Sequence, residues 1–348
     1  KENLTITIGE NVINLYYTKR NDLSYTVNYL EKGTNKQISD SKVVQGQVFG
    51  TIISSVNERI DIDGYKFDSY DKEVLTIGTG DNVINIYYTK QSYPYIVNYL
   101  EKGTYKVIHD PKVGPETPFG TSIGVTGQLI IDIEGYTYNS SDKDVLVIGS
   151  GQNVINLYYE KISGLSYIIK YQDKDTGEQI APSEVGGDQE YGTIIRAEDH
   201  IKDIDGYIYD SNSKDSIMIT TGTNEIIIYY TKKNNLSYTV NYLEKGTNAE
   251  LYKSKIAGNQ TFGTVILTKD EIIDIQGYRY DSSDKESLTI SMEVNVINLY
   301  YTKRNDLSYQ VNYLEKGSNR ELKNSKIVSG QTYGNIINSS NEVIDMDG

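Results

Sequence analysis

The chain of 348 residues has no cysteine, no tryptophan, five prolines and two histidines. Without cysteine there is no disulfide, no thiolate nucleophile and no Cys-ligated metal. A small secreted eukaryotic module would usually carry cysteine, so its absence points towards a bacterial exterior protein. Positive charge is also short: 34 Lys and Arg face 48 Asp and Glu, a net charge of −14 spread along the whole chain. A nucleic-acid binder needs a basic stripe to displace counterions, so that partner is excluded, and an anionic lipid surface is disfavoured for the same reason. No apolar run approaches the roughly 20 residues of a membrane span, so no membrane insertion is expected. No export signal is visible and the chain does not begin with Met.

What is present is repetition. SYTVNYLEKGT at residues 24–34 returns unchanged at 237–247 and as SYQVNYLEKGS at 308–318, with looser copies from Pro94 and Ser166. The first tyrosines are Tyr25, Tyr95, Tyr167, Tyr238 and Tyr309, spaced by 70, 72, 71 and 71 residues. A fixed period of this size predicts a tandem array of one small domain. The expected copies are 21–91, 92–162, 163–233 and 234–304, with a C-terminal half-copy at 1–20 and an N-terminal half-copy at 305–348. The half-copies predict that the chain is a window on a longer array. A unit this small lies near the lower limit for a core without staples.

Within one copy, Tyr25, Val27 and Tyr29 alternate with polar residues, the period-two signature of a strand. Residues 31–35 read as a turn around Gly33 and 36–44 as a second strand. Phe49-Gly50 opens a connection, 51–57, that is either a short helix or another strand. A third strand follows Gly64 at 65–68, and residues 74–77 and 82–89 are expected to close the copy as a hairpin. No stretch sustains helical spacing, and 33 tyrosines with abundant Val, Ile and Thr favour sheet, so the fold class is mostly β. The five- or six-residue connections between copies are too short for a floppy tether and end in Leu23, Tyr93, Leu165, Leu236 or Leu307. These are either exposed or locally packed, or they wedge between neighbouring copies and stiffen the array.

The third copy, Tyr171-Gln172-Asp173 through Thr176-Gly177 to Ile180-Ala181-Pro182-Ser183, resembles the opening of the mucin-binding-protein (MucBP) repeat of Gram-positive surface adhesins. Gly206-Tyr207 and the closing run 225–230 continue that resemblance, and Gly64-Tyr65, Gly135-Tyr136 and Gly277-Tyr278 repeat the pair. The other copies replace the Asp-rich turn with LEKGT. The resemblance implies a compact β-grasp (ubiquitin-like) unit whose first and last strands are parallel neighbours, and a role in adhesion at the bacterial cell surface, outside the cell. Units joined head to tail would each add roughly 30 Å, giving an elongated rod.

Candidate chemistry is sparse. Asp61, Asp63, Asp68 and Asp71, with Asp132, Glu134, Asn139 and Asp142, then Asp203, Asp205 and Asp210, then Asp274, Asp281 and Asp284, superficially resemble a calcium loop. They lack the further ligands and bidentate Glu of an EF-hand, and Gln276 stands where other copies have an acid, so an acidic turn is expected. His109 and His200 occupy different positions in their copies and read as surface residues. No catalytic, cofactor-binding or metal-ligating residue is assigned, no cofactor is expected, and the chain is read as a non-enzyme. The pairs Tyr16/Tyr17, Tyr87/Tyr88, Tyr158/Tyr159, Tyr229/Tyr230 and Tyr300/Tyr301 place at most one ring each on an exposed face for sugars, and sheet packing is the expected role. A Lys–Asn isopeptide bond has no distinguishing pair here. The function expected is a stalk or fibre section spacing a distal head from the cell wall. The alternative is weak, multivalent binding of mucin or other host glycans by the copies themselves. Neighbouring chains completing one another's half-copies in a fibre is a third reading.

Overall fold

The chain is described by a computed structural model covering residues 3–346. The extremities of the two half-copies, Lys1, Glu2, Asp347 and Gly348, lie outside the described residues. Contacts divide the chain into two compact units, residues 1–163 and 164–348.

The first complete copy contains β1 (Leu23–Glu31), β2 (Gln37–Gln47), β3 (Ile52–Ser54), a 3-10 turn (Ser55–Glu58), β4 (Tyr65–Tyr70), β5 (Val74–Thr76) and β6 (Val83–Lys90). Its main sheet has the order β2-β1-β6-β4. β1 and β6 run parallel, with Val27 opposite Ile84 and Tyr29 opposite Ile86, while β2 and β4 flank them antiparallel. Parallel neighbours need a long crossover, and everything between β1 and β6 supplies it. The same four-stranded order recurs in each of the other three complete copies.

Alternation sets the core. Leu23, Tyr25, Val27 and Tyr29 of β1 and Ile84, Ile86 and Tyr88 of β6 face one side and are buried, joined by Leu75 and Ile77. The second, third and fourth copies bury equivalent clusters, centred on Ile155 and Leu157, Ile226 and Ile228, and Ile297 and Leu299. Tyr88 crosses this core, donating its hydroxyl to the Ile60 carbonyl at 2.8 Å and accepting from the Ile60 amide at 3.2 Å. Tyr159, Tyr230 and Tyr301 grip residues 131, 202 and 273 in the same way. A buried tyrosine therefore pins the irregular segment ahead of β4, as a buried hydroxyl must find a partner.

Buried asparagines close the turn before β6. Asn82 accepts from the Gly78 amide at 2.8 Å and donates to the Ser24 and Gly78 carbonyls, both at 3.0 Å. Asn153, Asn224 and Asn295 repeat this clamp between the start of β1 and the start of β6.

Two expectations need correction. Residues 74–77 do not form a hairpin with β6. β5 pairs antiparallel with β3 instead, Ile53 opposite Leu75, because β1 and β4 already occupy both edges of β6. The connection at 51–57 is neither strand nor helix alone: β3 runs directly into the 3-10 turn, and this pair covers the core face of the sheet. Of the half-copies, residues 305–346 form one antiparallel hairpin, Leu307–Leu314 with Glu321–Gln331. Described residues 3–22 contain no strand.

The tyrosine grip generates a prediction. Tyr88→Phe leaves both Ile60 backbone groups without their partner and should cost about 1–3 kcal/mol. Native-state hydrogen exchange should show the loss concentrated in the first complete copy, with amides of the fourth copy unchanged.

Candidate functional site

The acidic residues before and within β4 do not converge. Asp68 pairs with Lys32 from the β1–β2 turn, and this contact lowers its pKa below the ordinary aspartate range. Asp71 points elsewhere, accepting from the Asn85 amide at 2.9 Å and its side chain at 3.2 Å. Asp210 and Asp281 pair with Lys174 and Lys245 as Asp68 does. Where the second copy has Asn139, Lys102 turns to Glu160 at 2.7 Å. Among the described residues no group of three or more His, Asp or Glu is arranged to hold a metal ion. The acids serve as single latches between turns and strands.

Four of the five closing tyrosine pairs split across the sheet, whereas Tyr16 and Tyr17 lie in no strand and are both exposed. Tyr88, Tyr159, Tyr230 and Tyr301 are buried, while Tyr87, Tyr158, Tyr229 and Tyr300 lie half-buried on the other face. In the second copy Tyr158 meets the exposed Tyr105 edge to face at 5.8 Å. No lysine amine among the described residues hydrogen-bonds an asparagine side chain.

A cluster missed from sequence ties β1, β2 and the 3-10 turn. Glu58, itself buried, accepts from the Tyr25 hydroxyl at 3.0 Å and from Lys42 at 2.6 Å. Tyr238, Lys255 and Glu271 repeat it, as do Tyr309, Lys326 and Glu342. Burial and then the Glu58 contact push the Tyr25 pKa up, and Glu58 raises that of Lys42. In the third copy the carboxylate changes sides. Glu184 stands at the position of Lys42 and His200 at that of Glu58, with the His200 Nδ1 3.0 Å from the carboxylate. Lys202 adds a contact to Glu184 at 3.3 Å while its amine lies 3.6 Å from the Tyr171 ring centre. The Tyr171 hydroxyl lies between the His200 carbonyl, 3.0 Å away, and Glu184, and its one proton serves one at a time. Tyr171, then His200 and Lys202, hold the Glu184 carboxyl at about 2. His200 is thus a half-buried member of a polar cluster and not the surface residue expected, whereas His109 is exposed.

The second feature missed is the junction between copies. Gln91, the first residue after β6, donates its amide to the Gly64 carbonyl at 2.9 Å, and its own carbonyl accepts from the Phe119 amide at 2.8 Å. Gly64 and Phe119 belong to successive copies, so one linker residue is bonded on both sides. Ser92–Tyr93 then pairs antiparallel with Thr117–Pro118. The Phe119 ring sits edge-on to Tyr65 at 5.8 Å and over Gly64, where a Cβ would lie 2.2 Å from the ring. Gly64 has φ +75°, so both its backbone and its missing side chain are required. Lys233 bridges Gly206 to Phe262, and Arg304 bridges Gly277 to Tyr333, with the same 2.9 and 2.8 Å bonds. Tyr207–Phe262 and Tyr278–Tyr333 both repeat the 5.8 Å ring contact.

This arrangement corrects the wedge reading of the linker apolar residues. Leu23 begins β1 and packs in its own core, as Tyr93 and Leu236 pack in theirs. The wedge is the aromatic of an aromatic-Gly pair, Phe119-Gly120, Phe262-Gly263 or Tyr333-Gly334, and the sequence repeats the pair as Phe49-Gly50 and Tyr191-Gly192. Two backbone bonds and an aromatic pair amount to about 2–4 kcal/mol per junction. That keeps a junction closed most of the time without merging two cores into one.

The Glu184 cluster predicts an acid-labile step in the third copy. Its folded pKa lies below the unfolded value, so its stabilisation is complete above about pH 4.5 and is lost as pH falls from there through about 2. Amide exchange at residues 168–172 should accelerate across that window, and Glu184→Gln should flatten the dependence.

The MucBP domain family matches residues 25–89 and 168–231. No curated protein matches the chain. Among solved structures, the streptococcal SHIRT (Streptococcal High Identity Repeats in Tandem) domains 3-4 from a cell surface protein are 14% identical, over 40% of this chain and 98% of theirs, with a TM-score of 0.20. Mub-RV is 13% identical over 40% and 99%, with a TM-score of 0.16. The Bacillus anthracis TIE protein is 10% identical over 82% and 67%, with a TM-score of 0.31. These scores are too low to carry any structural inference. The family match falls on the copy whose Asp173 turn carried the resemblance and also on the first complete copy, which lacks that turn. The chain is a tandem-repeat protein, and two of its copies, the first and third complete ones, match the MucBP domain.

Proposed function

We propose that this chain is a spacer section of a Gram-positive surface adhesin, holding a distal head away from the cell wall. The observation that carries this reading is the doubly bonded linker residue, Gln91, Lys233 or Arg304, seated beside an aromatic clasp. A binding module that acts alone has no need of such a joint, whereas a spacer loses reach wherever a joint folds back. The MucBP match supports a location outside the cell. In this reading the copies are bounded at 21–91, 92–162, 163–233 and 234–304. Each is a β-grasp unit in which β3 and the 3-10 turn take the place of the covering helix, and the copies line up into a rod. The net charge of −14 keeps such an array soluble and self-repelling.

A second reading, weak multivalent binding of mucin glycans, is supported by the family's description and by Tyr105, 65% exposed and braced against Tyr158. One experiment separates them. The chain is passed over immobilised mucin and over the same mucin after deglycosylation, and its maximum dimension is measured by small-angle scattering. The spacer reading expects equal, negligible retention on both surfaces and a dimension that shortens in Phe119→Ala/Phe262→Ala. Glycan-dependent retention lost in Tyr105→Ala favours the second reading, and a dimension unaffected by the double substitution sinks the first.

A further inference from the structure

A groove of about 420 Å³ in the fourth copy lies between the 3-10 turn Thr268–Glu271 and the strand Tyr278–Ser283, lined by Ile272, Tyr280, Ser283 and Glu286 among others. The third copy has one of about 350 Å³ at the same positions, with Ile201, Tyr209, Asn212 and Asp215; Lys269 also lines the first of these grooves, and Arg196 and Glu198 the second. In the first complete copy these four positions are Arg59, Phe67, Tyr70 and Glu73. There the Arg59 guanidinium lies 4.0 Å from the Phe67 ring centre, and its Nε donates to the Tyr70 hydroxyl. The first copy thus fills the position with its own planar cation, stacked on an aromatic floor. In the third and fourth copies the floor persists as Tyr209 and Tyr280, a carboxylate stays on the wall, and isoleucine stands where the first copy has its stacked Arg59, with Arg196 or Lys269 elsewhere along the lining.

We propose that the grooves of the third and fourth copies bind an arginine side chain of a partner polypeptide. Guanidinium is weakly hydrated and planar, so it stacks on a ring while its edge donates to Ser283 or Asn212 and to Glu286 or Asp215. A lysine ammonium, compact and more strongly hydrated, gives up more hydration to lie over a ring and lacks the planar face that stacks on it. Exposed Val265 and Leu267 beside one groove, and Ile194 and Met218 beside the other, give an apolar shelf for the chain that bears the arginine. The net charge of −14 draws such a cationic segment in. Each site is shallow and weak alone, and repetition at a fixed period supplies avidity.

The test uses the whole chain, immobilised, and a glycine–serine peptide carrying two arginines, with lysine and citrulline versions as controls. Saturable binding of the arginine peptide is expected, at least about tenfold tighter than either control. Ile201→Arg/Ile272→Arg puts into both grooves the residue that the first copy tolerates at this position, so it should fold and lose about tenfold in affinity. Arg59→Ile should add one binding site per chain. Absence of saturable binding, equal binding of the citrulline or lysine peptide, or unchanged affinity of the double variant overturns the proposal.

Discussion

The parallel pairing of β1 with β6 is the constraint on which the rest depends. Two parallel neighbours force the chain to enter the sheet at one end and leave it at the other, so a following copy starts where the preceding one stops. An antiparallel first and last strand would return the chain to its origin and pack successive copies side by side. The Asn82 clamp fixes this pairing by bonding the start of β1 to the turn that launches β6. With the exit placed, a single residue such as Gln91 is enough to join one sheet to the next turn.

The junction explains why glycine precedes the tyrosine that opens β4. The positive φ alone would permit asparagine at modest cost. The ring of the following copy, which fills the space of a side chain, removes that option. Local turn chemistry and contact between copies therefore fall on one residue, and the tyrosine after it supplies the partner ring. Phe49, whose preceding residues 3–22 form no strand and carry no such turn, is 45% exposed, whereas Phe119 and Phe262 are half-buried.

Strand positions were legible because alternation in β1 and β6 is strict and one face is wholly buried. β5 was misread because three residues carry no pairing information; its partner depends on which edges remain free. The covering segment was ambiguous because Ile52 and Ile53 suit both a strand and a turn, and both occur in succession. The third-copy cluster was invisible for a different reason. Glu184 and His200 stand 16 residues apart, and their meeting depends on a β2 strand and a turn that cross over the same tyrosine. Its signal was present only in comparison between copies, where the acid moves from the position of Glu58 to that of Lys42. The aromatic-Gly pair was equally visible, but a repeated motif in a connection shows its partner only when two copies are placed end to end.

The central claim is that the aromatic clasp at Gly64 makes the first two complete copies move as one. Residual dipolar couplings measured separately for the sheet containing β1 and β6 and for the sheet of the following copy, Ile96–Glu101 with Val154–Lys161, test it directly. The account predicts one shared alignment tensor in the parent chain and two distinct tensors in Gly64→Ala, where the added methyl displaces the Phe119 ring. Two independent tensors in the parent, or a shared tensor that survives the substitution, would contradict it.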